Sequence, residues 1–351
     1  MDDFKKLEGK NIVLIGGAGF IGHNLAIHLQ SLGAEVNIID GMQVNNLLSL
    51  VDNVDNLPYP ELSSAIIRER TQLLKSAKVK IKVQDVRDYH ALSKLLTDIK
   101  PNIIIQLAAV SHANRSNKDP YSTFDNSFRT LENSLDWARS KDSNVEQFIF
   151  FSSSMVYGNF KGDQVDENSL CDPLGIYGAL KYGSEKIVIG YKQTFGLPYT
   201  IIRPSALYGE RCISRRVGQI FIENSLMGKE IVMSDEGREA LDFTYINDLV
   251  DGVIRCIGNK NALNETFNLT YGKACSIADM AEIIKHYFPD IKVRNVERDK
   301  LMPKRGTLNV DKARDLIGYN PNWPLEKGYP QYIDWYKNFI SKNPKIINKE
   351  N

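Results

Sequence analysis

Tyr177 and Lys181 stand four residues apart in Tyr-Gly-Ala-Leu-Lys, a spacing that places a phenol and an ammonium on one face of a helix. A phenol near its reference pKa of ~10 is a weak base at neutral pH. A neighbouring cation favours the phenolate, and the positive nicotinamide of a bound dinucleotide acts in the same sense. The pair therefore suits removal of a hydroxyl proton while hydride passes to a cofactor. Tyr-x-x-x-Lys alone also describes ordinary helix surface, so its context decides. Upstream lies Phe151-Ser-Ser-Ser-Met-Val-Tyr-Gly158, in which Ser152, Ser153 and Ser154 follow an apolar run that reads as a strand. Serines at that edge of a parallel sheet sit where ligands bind, and a hydroxyl there can bridge substrate and Tyr177.

A second constellation opens the chain. Gly16-Gly17-Ala18-Gly19-Phe20-Ile21-Gly22 lies where an apolar strand becomes an amphipathic helix, and Asp40 ends the next strand. The glycines let the backbone bend and approach a pyrophosphate, to which the helix N-terminus offers N–H donors. An acidic group at Asp40 accepts from an adenosine ribose and repels a ribose phosphate, which favours NAD over NADP. Asp85 and Val86 end the third strand, where an aspartate can take the adenine amino group or cap the following helix. The small residues of Leu107-Ala108-Ala109 would let the backbone lie against the cofactor. Asn126, in a helical stretch, is a further candidate, with helix-surface polarity as its alternative.

These residues need a frame. Apolar runs at Asn11–Ile15, Val36–Ile39, Val79–Val83, Ile103–Leu107, Phe148–Phe151 and Thr200–Arg203 alternate with helical patterns at Ile21–Leu32, Tyr89–Thr97, Thr123–Ser140 and Tyr177–Phe195. Strands buried on both faces and joined by helices predict an α/β fold with a doubly wound parallel sheet. The expected cofactor-binding domain covers 1–206, with a helical insertion at about 44–78, since so long an unstructured loop is improbable. Beyond Leu207 the alternation loosens. Residues 207–340 are expected to form mainly a smaller, mixed substrate-binding part ending in a helix near Tyr329–Phe339, and 341–351 a flexible tail.

The 44 basic and 43 acidic residues leave a net charge of +1, which argues against a partner such as nucleic acid or an anionic membrane. Cys171, Cys212, Cys256 and Cys275 are scattered, without metal-ligand spacing, and read as incidental thiols of a cytoplasmic protein. No metal is expected. The polar N-terminus has no signal-peptide pattern, and no apolar run approaches the ~20 residues that span a bilayer.

Together GGAGFIG, the strand-end Asp40, DVRD, QLAA, SSSMVYG, YGALK and RPSALYG resemble the extended short-chain dehydrogenase family of nucleotide-sugar epimerases, dehydratases and decarboxylases, from about residue 10 to 336. The resemblance implies a Rossmann domain with a smaller C-terminal nucleotide-sugar domain, and a homodimer formed through Thr123–Ser140 and Tyr177–Phe195. It implies Tyr177 as base, Lys181 as its partner and Ser153 as third member. It also points to Ser111, Ser153, Ser154, Arg216, Arg238 and Arg305 on the substrate, with Arg215 a further cation. In similar 4,6-dehydratases an Asp-Glu pair follows the catalytic Ser/Thr, whereas here Ser154 and Met155 stand there; similar decarboxylases carry a glutamate at Met155. Family members also often have Asn at Ala206 and Arg at Leu241. Met155 can neither give nor take a proton, so the expected reaction is 4-epimerisation by transient C4 oxidation. Dehydration, decarboxylation and C4 oxidation by the same triad remain open, and a non-catalytic dinucleotide sensor ranks below them.

Overall fold

A computed structural model describes residues 7–52, 58–110, 113–298 and 302–346. The first half runs β1 (Asn11–Ile15), α1 (Phe20–Ser31), β2 (Glu35–Asp40), α2 (Leu47–Asp52), α3 (Pro60–Ser76), β3 (Lys80–Val83), α4 (Tyr89–Ile99) and β4 (Ile103–Gln106). There follow α5 (Ala113–Lys118), α6 (Pro120–Phe124), α7 (Thr130–Ala138), β5 (Gln147–Phe151), the short β6 (Gln164–Val165), α8 (Gly175–Phe195) and β7 (Tyr199–Arg203). The second half holds β8 (Leu207–Tyr208), α9 (Val217–Leu226), β9 (Ile231–Ser234), β10 (Ala240–Leu241), β11 (Thr244–Tyr245), α10 (Ile246–Cys256) and β12 (Glu265–Asn268). It closes with β13 (Cys275–Ser276), α11 (Ile277–Tyr287), β14 (Val293–Val296), β15 (Thr307–Leu308), α12 (Asp311–Ile317) and α13 (Leu325–Lys342).

Seven parallel strands form the central sheet in the order β12-β7-β5-β4-β1-β2-β3. Alternate side chains of each strand feed opposite faces. Val13, Ile15, Ile104, Phe148 and Phe150 pack with Leu92, Leu96, Leu131 and Leu135 of α4 and α7. Ile12, Leu14, Ile38, Ile105 and Ile149 face α1, α3 and α10. This is a doubly wound, Rossmann-type sheet. Strand order reverses between β1 and β4, so the crevice at their C-terminal ends is the natural ligand position.

Two sequence expectations change in detail. Thr123–Ser140 is not one helix: α6 starts behind the cap of Asp119, whose carboxylate accepts from Ser122 N at 2.9 Å, and Asp125–Arg129 forms a π-helical turn before α7. Within that turn the Asn126 amide donates to the Ser122 carbonyl at 2.8 Å and Thr130 Oγ1 to the Asn126 carbonyl at 3.0 Å. Such single π turns recur at functional sites. The second change is β12, which returns from the second half to pair with β7 at the sheet edge. Its Glu-Thr-Phe-Asn sequence gave too short an apolar signal to read as a strand, although Phe267 is fully buried. Four two-strand pairs, β6 with β15, β8 with β11, β9 with β14 and β10 with β13, brace the remainder.

Candidate functional site

The turn from β1 into α1 is shaped by contacts that only glycine permits. Gly16 has φ +76°, and a Cβ on it would lie 2.5 Å from Ala108 Cα; one on Gly22 would lie 2.3 Å from the Gly17 carbonyl oxygen. Leu107 and Ala108 N–H both donate to the Ile15 carbonyl at 2.8 Å, which draws the β4 end against this turn. Gly19 differs: a Cβ there would meet nothing nearer than 3.9 Å. As the N-cap of α1 it supplies no side-chain cap, so the first-turn N–H groups face open space, the donor arrangement an anionic diphosphate requires.

That space is a cavity of about 130 Å³. Its wall contains Gly16, Gly19, Phe20, Ile21, Gly22, Asp40, Val86, Leu107, Ala108, Ala109 and Asn126, eleven positions proposed from sequence for the cofactor. Arg216 and Ser214 enter the wall from the second half, and Gln43, Asn45 and Arg70 from the segment after β2. The cradle fits a dinucleotide. Asp40 accepts from Ala18 N at 2.9 Å through one oxygen and from Met42 N at 2.7 Å through the other, so it shapes the glycine turn and keeps a lone pair on each oxygen for a ribose hydroxyl. Burial pushes its carboxyl above the usual range, and the two backbone bonds partly offset this. Asp85 is not in the wall. It receives Arg87 through Nε and Nη2, and Gln43 Nε2 at 2.9 Å, and these bonds hold it at about 2. The helix cap considered for this stretch falls to Asp88, which accepts from Ala91 N at 3.0 Å.

The three serines after β5 do three different things. Ser152 Oγ donates to Glu185 at 2.5 Å, and Ser154 Oγ to Ser205 at 3.2 Å, so Ser154 is buried against the scaffold rather than offered to substrate. Ser153 Oγ caps the 3-10 turn Ser154–Tyr157, accepting from Met155 N, and stands close enough to the Tyr177 phenol to favour its ionised form. Burial raises the Tyr177 phenol above its ordinary value, opposed first by the charge of Arg216 and then by Ser153. Lys181 hydrogen-bonds the backbone rather than the phenol. Its ammonium, 8% exposed, donates to the Phe151 carbonyl at 2.6 Å, because a buried cation must find an acceptor and the strand end offers one. Burial brings it down to about 8, against the raising charge of Glu185. Glu185 is itself held by Arg203 at 2.7 Å. Arg216 is thus the cation whose charge acts on the phenol.

The substrate-side arginines divide. Arg305 is largely buried, pairs with Glu239 at 3.1 Å, and keeps an Nε without a partner among the described residues. Burial lowers its pKa, as do the charges of Arg216 and Arg298, while Glu239 opposes them. Arg298 donates Nη2 to the Met302 carbonyl at 3.0 Å and likewise keeps an unpartnered, buried Nε. Arg305, with the charges of Arg216 and Arg298 acting on it and one carboxylate beside it, makes a site for a polyanion. Sequence reasoning missed Arg298, which lies in no motif; only the run of charge from Arg298 to Arg305 hinted at it. Arg238 is not brought to this cluster. Its side chain is 66% exposed and paired with Asp235 and Glu236. Arg215 is taken up by the buried Glu223. Ser111 lies outside the described residues.

A family model for the NAD-dependent epimerase/dehydratase family matches residues 12–270. Among curated proteins the chain is 26% identical over 358 residues to UDP-glucuronate 4-epimerase 4 of Arabidopsis thaliana, covering 96% of this chain and 77% of that one. Among solved structures it is similar to UDP-glucuronic acid 4-epimerase from Bacillus cereus in complex with UDP-glucuronic acid and NAD, with TM-score 0.81, 25% identity, and coverage of 93% of this chain and 99% of that one. It shares its fold with UDP-glucose 4-epimerase from Thermotoga maritima, with TM-score 0.78, 24% identity, and coverage of 94% and 99%.

Proposed function

The chain belongs to the NAD-dependent epimerase/dehydratase family, and on that premise we propose that it is a nucleotide-sugar 4-epimerase that oxidises C4 transiently and reduces it again on the other face. NAD, when bound, supplies the reversible hydride acceptor. The chain itself handles the C4 hydroxyl proton. Tyr177 holds that proton at its phenolic oxygen, and Arg216, with Ser153 beside the phenol, lowers the cost of the phenolate. Lys181, anchored on Phe151, keeps a positive charge one helical turn away.

One observation carries the choice of reaction. Met155 is buried and cannot ionise, and its neighbours Ser154 and Val156 carry no acid. Elimination of a sugar hydroxyl or epimerisation beside a ketone needs a further proton-transfer group, whereas return of hydride to C4 does not. Arg216, Arg298 and Arg305 support a diphosphate carrier, and relatives named for UDP-sugars support uridine as its nucleoside. Residues 207–340 serve mainly as the substrate-binding part in this reading. We also take the protein to be a cytoplasmic homodimer. The exposed Tyr121, Phe124, Ile176, Ile187 and Phe195 on α6 and α8 support pairing through these helices, and no helix among the described residues is long and apolar enough to cross a membrane.

Incubation of the purified protein with UDP-sugars, followed by proton NMR, tests the reading. The expected product is the C4 epimer with no net accumulation of reduced nicotinamide. A 4-keto-6-deoxy sugar, released carbon dioxide, or stoichiometric cofactor reduction would overturn it.

A further inference from the structure

The inserted helix α3 has no part in the chemistry above, yet it sends one side chain into the same cavity. Arg70 is 2% exposed and forms part of the cavity wall. Its Nε and Nη2 donate to the Arg211 carbonyl at 2.9 and 2.5 Å, and its Nη1 donates to the Asn45 carbonyl at 3.3 Å. A guanidinium carries five N–H groups, so two have no acceptor among the described residues. No carboxylate there hydrogen-bonds it. Asp40, whose charge it feels, accepts from Ala18 and Met42 N–H and not from this guanidinium. Burial pushes the guanidinium down to about 10, as expected of a cation enclosed without its counter-anion.

A staple for two carbonyls does not need a buried charge, and an enclosed cation is costly until an anion completes it. The two clamped residues are also unusual. Asn45 and Arg211 have φ of +50° and +66°, the left-handed region that non-glycine residues seldom occupy. The Arg211 turn runs directly on to Ser214 and Arg216 in the cavity wall.

We propose that Arg70 is a cofactor-binding residue whose two uncommitted N–H groups take a diphosphate oxygen of the dinucleotide, and that through its hold on the Arg211 turn cofactor loading sets the segment carrying Ser214 and Arg216. The inserted helix is therefore the element that ties the cofactor end of the cavity to the substrate end. This rests on the family's dinucleotide and not on which sugar reaction follows.

Calorimetric titration of cofactor-stripped protein tests it, with NAD, with adenosine as a phosphate-free probe, and with UDP in the presence and absence of saturating NAD. Arg70→Gln is expected to weaken NAD about tenfold or more, which is ~1.4 kcal/mol, to leave adenosine binding within about twofold, and to abolish the effect of NAD on UDP affinity. Arg70→Lys, which keeps the charge with fewer donors, is expected to fall between. Unchanged NAD affinity in a folded Arg70→Gln protein, judged by circular dichroism, overturns the proposal. So does an equal loss of adenosine binding, the mark of a collapsed site. If Arg70→Gln does not fold, wild-type NAD affinity in Arg70→Lys overturns it. Wild-type protein that binds no NAD overturns the cofactor assignment itself, and binding of NAD but not UDP removes the nucleotide-sugar reading and the coupling to it.

Discussion

Two stretches of chain wall one cavity in opposite ways. At the β1–α1 turn the wall is backbone: Gly16 against Ala108, Gly22 against Gly17, and an N-terminal helical turn capped by Gly19. On the substrate side it is side chain, with Arg216 in the wall and in charge range of Arg305, which also feels Arg298; these residues come from segments 82 or more positions apart in the chain. Backbone recognition requires particular residues at consecutive positions, because each tight approach excludes every side chain but hydrogen. Side-chain recognition requires only that a guanidinium arrive, from whatever segment the fold delivers. The first kind leaves a motif, and the second leaves isolated arginines.

Substitutions can break or sharpen this contrast. The largest effect is expected at the proposed base, which belongs to neither wall: Tyr177→Phe should slow C4 epimerisation by about 10²–10⁴-fold and leave NAD affinity unchanged, read by NMR turnover and calorimetry. Gly19→Val tests the backbone wall. Nothing in the protein lies within 3.9 Å of the added Cβ, so the melting temperature should hold while NAD affinity falls about a hundredfold, ~2.8 kcal/mol. Behind the side-chain wall, Arg305→Gln should raise KM for the nucleotide-sugar about tenfold to a hundredfold, the ~1.5–3 kcal/mol of a charge-assisted bond, with kcat changed less. A pH series probes the ammonium between them. Lys181 is protonated below about 8, so kcat/KM should hold below that value and fall as pH rises through it, and Lys181→Met should lack this limb. Smallest of all, Arg238→Gln should leave KM within about twofold, since its exposed guanidinium is already occupied by Asp235 and Glu236.

The same contrast explains what could be read without coordinates. The six alternating runs define six of the seven sheet strands: five because strands covered on both faces are largely apolar, and the exposed edge strand Lys80–Val83 from its Val and Ile alone. Asp40, Val86 and Asn126 follow from their places at strand ends or beside the crevice. Three features stayed hidden because they depend on partners distant in sequence. The serine run gives no hint that Ser152 turns to Glu185 and Ser154 to Ser205. The Tyr177–Lys181 spacing is silent on the Phe151 carbonyl that captures the ammonium. Nothing around Arg70 marks it as the residue of α3 that reaches the cavity, since it is one basic residue among the charges of Arg-Glu-Arg.

The strand Glu265–Asn268 crosses back to extend the sheet beyond Tyr199–Arg203. Two halves of a chain that share a hydrogen-bonded ladder cannot swing apart like a clam shell. A chain cut before β12 would leave β7 as a raw sheet edge, prone to recruit a strand from another molecule.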